Sequence, residues 1–262
     1  MTKLTDLCQV HGQSPWLDNL RRDWVRGGEL ARWIERGVRG VTSNPSIFQK
    51  AMSEGHAYDE QFAQLVGSGA SATDAYWTMA KTDIAETLSL FAPLHETSGG
   101  GDGFVSLELA PDLAHETEGS AVAARRLHTE LDAPNLLVKI PATAEGVPAV
   151  EQMIAEGRSI NITLIFSLDR YAAVMEAYLA GLERCRGDLG RVHSVASFFI
   201  SRVDTEVDRR LDALGTPAAL ALRGRAAVAQ AKLAHRQFRA TFSGPRWEAL
   251  AGRGAHLQRP LW

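Results

Sequence analysis

The stretch NLLVKIPAT, residues 135–143, is an apolar run that contains one charged residue. Leu136, Leu137 and Val138 precede Lys139, and an isoleucine and a proline follow it. A short, nearly continuous aliphatic run predicts a strand that is buried on both faces. Lys139 would place an ammonium group in this apolar strand, so its presence there requires an explanation.

Five other short apolar runs have the same character and lie at residues 15–20, 38–44, 103–109, 159–166 and 192–200. Helical patterns separate them, such as residues 112–131 and 167–185, and each of these two opens with an Asp or Ser that could cap it. Alternation of strands and helices predicts right-handed parallel βαβ units. The fold class is therefore α/β.

Buried parallel strands occur both in doubly wound sheets and in (β/α)₈ barrels. All six predicted strands carry a polar residue near the C-terminal end, which is the catalytic rim of a barrel and the ligand crevice of an open sheet. After the sixth strand come helical stretches at 216–242 and 246–254, and then residues 257–262 could begin a seventh strand. Six strands and a partial seventh cannot close an eight-stranded barrel. With no linker or repeat visible, residues 1–262 are predicted to form a single domain.

Composition narrows the class of protein. The chain has 262 residues, is 45% hydrophobic and carries a formal charge of -3, which gives no reason to expect nucleic acid or an anionic membrane as a partner. No stretch approaches the roughly 18 apolar residues of a membrane span, and residues 1–16 have no signal-peptide pattern. Cys8 and Cys185 do not form a CxxC motif, which favours a reducing compartment. We expect a cytoplasmic protein.

Burial gives Lys139 a chemical use, because desolvation favours the neutral amine, and a neutral amine can form a Schiff base with a carbonyl substrate. The simpler alternative is that Lys139 ends its strand and extends into water. Its neighbours favour the chemical role. Glu108 on the preceding strand and Thr163 on the following one could hold a water for proton transfer, and Asp18 could take a proton from a substrate hydroxyl as a carbon–carbon bond breaks.

Other motifs do not indicate a cofactor. The glycine-rich residues 98–104 precede a strand, whereas a dinucleotide-binding motif follows one, so they predict a loop. The eight histidines include no HExxH pattern and no second ligand at helical spacing. The sequence therefore predicts no metal and no cofactor.

Six motifs in this order, WLDNL, GVTSNPSIF, VSLEL, LLVKIPAT, INITLIFS and SVASFFISRVD, resemble the successive strand motifs of transaldolase, in its longer bacterial subfamily. The resemblance runs from about residue 10 to the last residue. It implies a class I aldolase-type barrel, and hence a (β/α)₈ TIM-type barrel that is incomplete in this chain. It also implies an enzyme that moves a dihydroxyacetone unit between sugar phosphates without a metal.

The resemblance also implies residue roles. Lys139 would form the Schiff base, Asp18 would act as acid and base, and Glu108 and Thr163 would handle water and protons. The residues expected to bind substrate are Thr42, Asn44, Asn161, Ser197 and Arg202. Of these, the two asparagines would bind donor hydroxyls and Arg202 would bind the phosphate.

The implied reaction converts sedoheptulose 7-phosphate and glyceraldehyde 3-phosphate into erythrose 4-phosphate and fructose 6-phosphate, in the pentose phosphate pathway. The alternatives are a fructose-6-phosphate aldolase-like enzyme and a non-catalytic sugar-phosphate-binding barrel. Transaldolases continue past QRPLW into further strands with phosphate-binding residues, so we expect the 262 residues alone to be poorly active. Exposed strand edges at an incomplete barrel favour self-association, and a homo-oligomer is compatible with the sequence.

Overall fold

The computed structural model describes residues 2–262. Its strands form one seven-stranded sheet whose spatial order follows the chain. They are β1 (Trp16–Asp18), β2 (Gly40–Thr42), β3 (Phe104–Glu108), β4 (Leu136–Pro141), β5 (Ile160–Ile165), β6 (Ser194–Phe198) and β7 (Arg259–Leu261). All six predicted strands and the start of the seventh are confirmed. A doubly wound sheet reverses its strand order partway, whereas this order does not reverse, so the α/β fold is that of an incomplete TIM-type barrel.

Helices connect the strands. Within residues 2–262 they are α1 (Lys3–Gln9), α2 (Arg22–Arg26), α3 (Glu29–Glu35), α4 (Pro45–Ser53), α5 (Asp59–Gly67), α6 (Ala72–Thr97), α7 (Thr117–Leu131), α8 (Gly146–Ala155), α9 (Leu168–Arg184), α10 (Ser201–Leu214), α11 (Pro217–Leu220), α12 (Ala226–Thr241) and α13 (Pro245–Ala251). None of these helices has the length and apolar character needed to cross a membrane.

The helix boundaries correct three details of the sequence-based assignment. The stretch 112–131 is divided into a 3₁₀ turn at Pro111–His115 and α7, so its first aspartate does not cap the long helix. The stretch 216–242 is divided into α11 and α12, with Gly224 in the left-handed region at φ +68° between them. Helix α10 was not predicted. By contrast, Ser167 caps α9 as expected, because its hydroxyl accepts a hydrogen bond from the backbone N–H of Arg170 at 3.1 Å.

The chain groups into two compact units. The first consists of residues up to Pro111 together with Leu127–Val138 and contains β1 to β3. Its strands are parallel, and Trp16 lies opposite Gly40 in the register. A side chain at Gly40 would collide with the indole, since a Cβ there would lie 2.6 Å from Trp16 Cδ2. Glycine therefore allows the large ring to lie flat on the neighbouring strand.

The second unit consists of Asp112–Arg126 and Lys139–Trp262 and contains β5 to β7, which are also parallel. Helices α8 and α9 pack closely in this unit because Gly181 has no side chain, and a Cβ there would lie 2.7 Å from Ile154 Cβ. Residues of β4 and α7 are divided between the two units. The single-domain assignment stays a prediction.

Candidate active site

In the first unit, polar residues lie level with one another on three neighbouring strands. Asp18 pairs in register with Thr42, and Thr42 pairs with Ser106. Asp18 is exposed, whereas Thr42 is buried. The Thr42 hydroxyl oxygen has no hydrogen-bond partner among the described residues. A buried hydroxyl without a partner is costly, so this one is suited to bind a water or a substrate oxygen.

Asn44 lies two residues after β2, and Glu108 ends β3. The side-chain oxygen of Asn44 accepts a hydrogen bond from the backbone N–H of Ile47 at 2.9 Å and so caps α4. With its oxygen used in the cap, the amide nitrogen of Asn44 is the atom suited to donate to a substrate hydroxyl. Glu108 is the last residue of β3, two positions after Ser106 and therefore on the same strand face.

A cavity of about 560 Å³ lies in the first unit. Its walls include Pro45 from α4, Tyr76 and Trp77 from α6, and Ala110, which follows Glu108 by two residues. Burial raises the pKa of Tyr76 above its ordinary value, and the negative charge of Glu108 raises it further. The sequence analysis did not single out Tyr76, because within a helical pattern nothing distinguishes it from a core aromatic residue.

In the second unit, the central observation is the burial of Lys139. All six residues of β4 are buried, and Lys139 is only 4% exposed. The alternative in which this lysine extends into water is therefore wrong. Lysines are almost never buried to this extent without a specific reason, so a chemical use of the amine becomes the stronger hypothesis.

Asn161, Thr163 and Ser197 lie on the two strands that follow β4, and all three are buried. The Ser197 hydroxyl donates a hydrogen bond to the side-chain oxygen of Asn161 at 2.8 Å. Thr163 is 1% exposed, and its hydroxyl oxygen has no hydrogen-bond partner within residues 2–262. Thr163 thus resembles Thr42 in offering a buried hydroxyl that a bound water or substrate could satisfy.

Arg202 occupies the first turn of α10 and is exposed. Its guanidinium carbon lies 4.7 Å from the centroid of the Phe199 ring. No carboxylate in the described part of the chain forms an ion pair with it. The stacking holds the planar guanidinium in place while leaving its N–H groups available for an anion such as a phosphate.

The structure thus places Asp18, Thr42, Asn44 and Glu108 in the first unit. It places the remaining predicted site residues in the second, namely Lys139, Asn161, Thr163, Ser197 and Arg202. Apart from Asn161, which lies near the start of β5, each of them lies in the C-terminal half of a strand or within a few residues after it. Their individual roles stay predictions.

A buried polar network near β1 was missed by the sequence analysis. Arg22 follows Asp18 by four residues and is 2% exposed. Its Nε donates to Asp83 Oδ1 at 2.7 Å, and the Tyr58 hydroxyl donates to Asp83 Oδ2 at 2.7 Å. The guanidinium also stacks on the Tyr58 ring at 4.2 Å. This network holds the segment after β1 in contact with α6. The residues are far apart in sequence, and no local pattern links them.

The chain is similar to known proteins along most of its length. The family model described as transaldolase/fructose-6-phosphate aldolase matches residues 15–249. A transaldolase of Mycobacterium ulcerans (strain Agy99) is 52% identical, over 96% of this chain and 69% of the relative. A transaldolase of Thermobifida fusca (strain YX) is 51% identical over the same shares. Transaldolase 2 of Streptomyces coelicolor is 49% identical over 100% of this chain and 72% of the relative.

Proposed function

This chain belongs to the transaldolase/fructose-6-phosphate aldolase family, and we propose that it catalyses the transaldolase reaction. In this reaction a dihydroxyacetone unit passes from sedoheptulose 7-phosphate to glyceraldehyde 3-phosphate, which yields erythrose 4-phosphate and fructose 6-phosphate. Relatives about 50% identical over nearly the whole chain carry the name transaldolase. The observation that carries the proposal is the buried Lys139 within the KIPAT motif.

The proposed first step forms a carbon–nitrogen bond. The amine nitrogen of Lys139 adds to the ketose carbonyl carbon to give a carbinolamine, which loses water to become an iminium ion. Glu108 and Thr163 supply and accept the protons for these steps. The buried, unpartnered hydroxyl of Thr163 supports its assignment to this role.

The second step breaks the carbon–carbon bond. Asp18 takes the proton of the substrate hydroxyl on the carbon that becomes the aldehyde. The electron pair of the broken bond moves into the iminium, which leaves a three-carbon enamine on Lys139 and releases the aldose. The acceptor aldose then undergoes the same steps in reverse, with Asp18 returning its proton. The exposure of Asp18 at the end of β1 supports a role in proton exchange with substrate.

Binding is assigned to the remaining residues. Asn44 and Asn161 donate hydrogen bonds to hydroxyls of the ketose, and Thr42 and Ser197 complete the polar lining. Arg202 binds the phosphate, with its exposed guanidinium forming charge-assisted hydrogen bonds to the phosphate oxygens. The absence of a competing carboxylate partner among the described residues supports this assignment.

We further propose that the reaction belongs to the pentose phosphate pathway and takes place in the cytoplasm. Neither Cys8 nor Cys185 forms a disulfide. Two unpaired thiols suit a reducing compartment. Association into a homo-oligomer remains a proposal that sedimentation or light scattering can check.

The decisive experiment traps the Schiff base. Borohydride reduction in the presence of fructose 6-phosphate should attach the donor irreversibly to Lys139, as located by peptide mass mapping. Lys139→Met should abolish the adduct, whereas Lys50→Met should not, because Lys50 lies on α4 with its side chain 74% exposed. Calorimetric binding of the sugar phosphate without any adduct would instead indicate a non-catalytic binding protein.

A second assay separates the transferase from a fructose-6-phosphate aldolase. The names of the relatives favour the transferase. Release of dihydroxyacetone from fructose 6-phosphate should therefore be slow, and consumption of the donor should accelerate when erythrose 4-phosphate is supplied as acceptor. Consumption that is independent of the acceptor would identify the aldolase.

A further inference from the structure

The pairing between β5 and β6 contains an irregularity beside the proposed active site. Ile162 lies opposite Ala196, and Ile165 lies opposite Phe198. Between these two pairs β5 advances three residues and β6 advances two. Strand β5 therefore holds one extra residue at this point, which makes the irregularity a β-bulge. Bulges commonly lie near active sites, where they change the direction of a side chain.

The extra residue adopts an unfavourable backbone conformation. Leu164 has φ +59°, and within residues 2–262 Asp132 is the one other non-glycine residue with positive φ. Aspartate tolerates this region because its short side chain can hydrogen-bond locally, whereas for leucine the Cβ crowds the following carbonyl oxygen. Burial does not account for the conformation, because Leu164 is 37% exposed in a strand whose other five residues are buried.

Hydrogen bonds on both sides of Leu164 hold this conformation. The carbonyl of Thr163 accepts from the N–H of Ala142, just after β4, at 2.8 Å. The carbonyl of Ile165 accepts from the N–H of Phe199, just after β6, at 2.8 Å. In a regular strand, carbonyls two residues apart point to the same neighbouring strand. Here they point to opposite neighbours, and the left-handed residue between them causes the reversal.

This reversal of carbonyl direction directly affects the backbone of Thr163. This residue precedes Leu164, is almost fully buried, and has no hydrogen-bond partner for its hydroxyl in the described chain. No hydrogen bond within residues 2–262 fixes the direction of that hydroxyl. The backbone sets the direction of the Cα–Cβ bond of Thr163 and, with it, where the hydroxyl lies. Strained residues persist where the surroundings hold them, and such residues cluster at functional sites.

We propose that Leu164 is a positioning residue, whose left-handed backbone in the β5 bulge aims the Thr163 hydroxyl for proton transfer during imine formation. This inference rests on the proposed function. Leu164 itself does not need to touch the substrate. Its side chain is dispensable, and its backbone conformation is the feature that matters.

The test replaces Leu164 by residues that differ in their tolerance of positive φ. Leu164→Asn and Leu164→Gly accept the left-handed region readily, whereas Leu164→Val, a β-branched residue, accepts it poorly. The readout is the rate at which borohydride traps fructose 6-phosphate on Lys139 in single-turnover conditions. We expect the asparagine and glycine variants to retain the native rate within about threefold. The valine variant should lose between about 10- and 100-fold, the upper end being the effect of a displacement of about 1 Å.

A double-mutant cycle separates positioning from simple destabilisation. If Leu164 acts through the hydroxyl, Leu164→Val should slow trapping in the native background but cause no further loss when combined with Thr163→Ala. Ile160→Val, a change in the buried part of β5 before the bulge, serves as the stability control and should keep the native rate. Leu164→Ala, which tolerates positive φ less well than glycine, gives an intermediate test if the valine variant does not fold.

The outcomes are distinct. Equal trapping rates in the native protein and in every folded variant of Leu164 would overturn the inference alone. Additive losses in the double-mutant cycle would also overturn it, because Leu164 would then act independently of Thr163. No adduct in the native chain would overturn the proposed function together with this inference.

Discussion

The hydroxyl of Ser197 donates a hydrogen bond to the side-chain oxygen of Asn161 at 2.8 Å, and both residues are buried. The two residues lie on the neighbouring strands β6 and β5. The bond fixes which end of the Asn161 carboxamide faces Ser197, so the amide nitrogen points elsewhere. In the proposed reaction that nitrogen donates to a hydroxyl of the ketose.

Removal of this hydroxyl should weaken donor binding. Ser197→Ala frees the Asn161 carboxamide to rotate, and we expect the KM for fructose 6-phosphate to rise by about 2- to 10-fold, the equivalent of one net hydrogen bond. Ser194→Ala is the matched control, because Ser194 lies on the same strand but donates to the backbone oxygen of Ile160 at 3.0 Å. A similar KM change in both variants would contradict the assignment.

Phosphate recognition by Arg202 can be tested with a pair of donors. Arg202→Ala should raise the KM for fructose 6-phosphate by about 10- to 100-fold, because hydrogen bonds to charged groups contribute roughly 1.5–3 kcal/mol. The rate of any reaction with fructose, which lacks the phosphate, should be the same in the variant and the native protein. Arg209→Ala on the same helix is the control, since Arg209 pairs with Glu206 at 2.8 Å. An equal effect on the KM of both donors would show that Arg202 supports the structure of α10 and does not bind the phosphate.

The buried network of Arg22, Tyr58 and Asp83 near β1 should make a large contribution to the free energy of unfolding. Asp83→Asn leaves the guanidinium of Arg22 buried without its counter-charge, and we expect the free energy of unfolding to fall by roughly 3–5 kcal/mol in urea denaturation. Glu86→Gln removes the partner of Arg26, whose side chain is 54% exposed, and should cost less than about 1 kcal/mol. Comparable losses in the two variants would mean that Asp83 and Arg22 are not a specific pair.

The environment of Glu108 can be followed through Tyr76. Burial is the larger cause of the raised pKa of Tyr76, and the charge of Glu108 is the second. Glu108→Gln should therefore lower the pKa of Tyr76, yet leave it above the ordinary value of 10.0. The measurement is an absorbance titration of tyrosinate, with Tyr76→Phe as the reference that identifies the transition. Glu96→Gln, at the end of α6, should leave the titration unchanged.

The same shift has a consequence for stability. Because the pKa of Tyr76 is higher in the folded protein, the unfolded chain loses its tyrosine proton first as the pH rises. The contribution of this group to stability is complete below pH 10 and declines as the pH rises through the folded pKa. In Glu108→Gln this decline in stability should be smaller, because the pKa of Tyr76 is expected to be less strongly raised in that variant. A stability profile that is identical in native protein and Tyr76→Phe would exclude this contribution.

Much of the fold could be predicted from local pattern. The six apolar runs became β1 to β6, and Lys139 lies on β4 as expected, because a buried parallel strand requires a continuous apolar stretch that the sequence displays directly. The helix boundaries were less accurate. The division at residues 111–117 and the unpredicted α10 depend on where neighbouring segments pack, and local periodicity does not report that.

The sequence by itself determined the order of strands and helices and the residue types at the strand ends, since these depend on hydrophobic period and on the chemistry of single side chains. Only the tertiary structure decided the level pairing of Asp18 with Thr42, the pairing of Arg22 with Asp83 across 61 positions, and the left-handed backbone at Leu164. Each of these depends on hydrogen bonds between segments that are distant along the chain. The geometry of the whole fold determines which of these hydrogen bonds form. The hydrophobic periodicity of either partner segment does not reveal them.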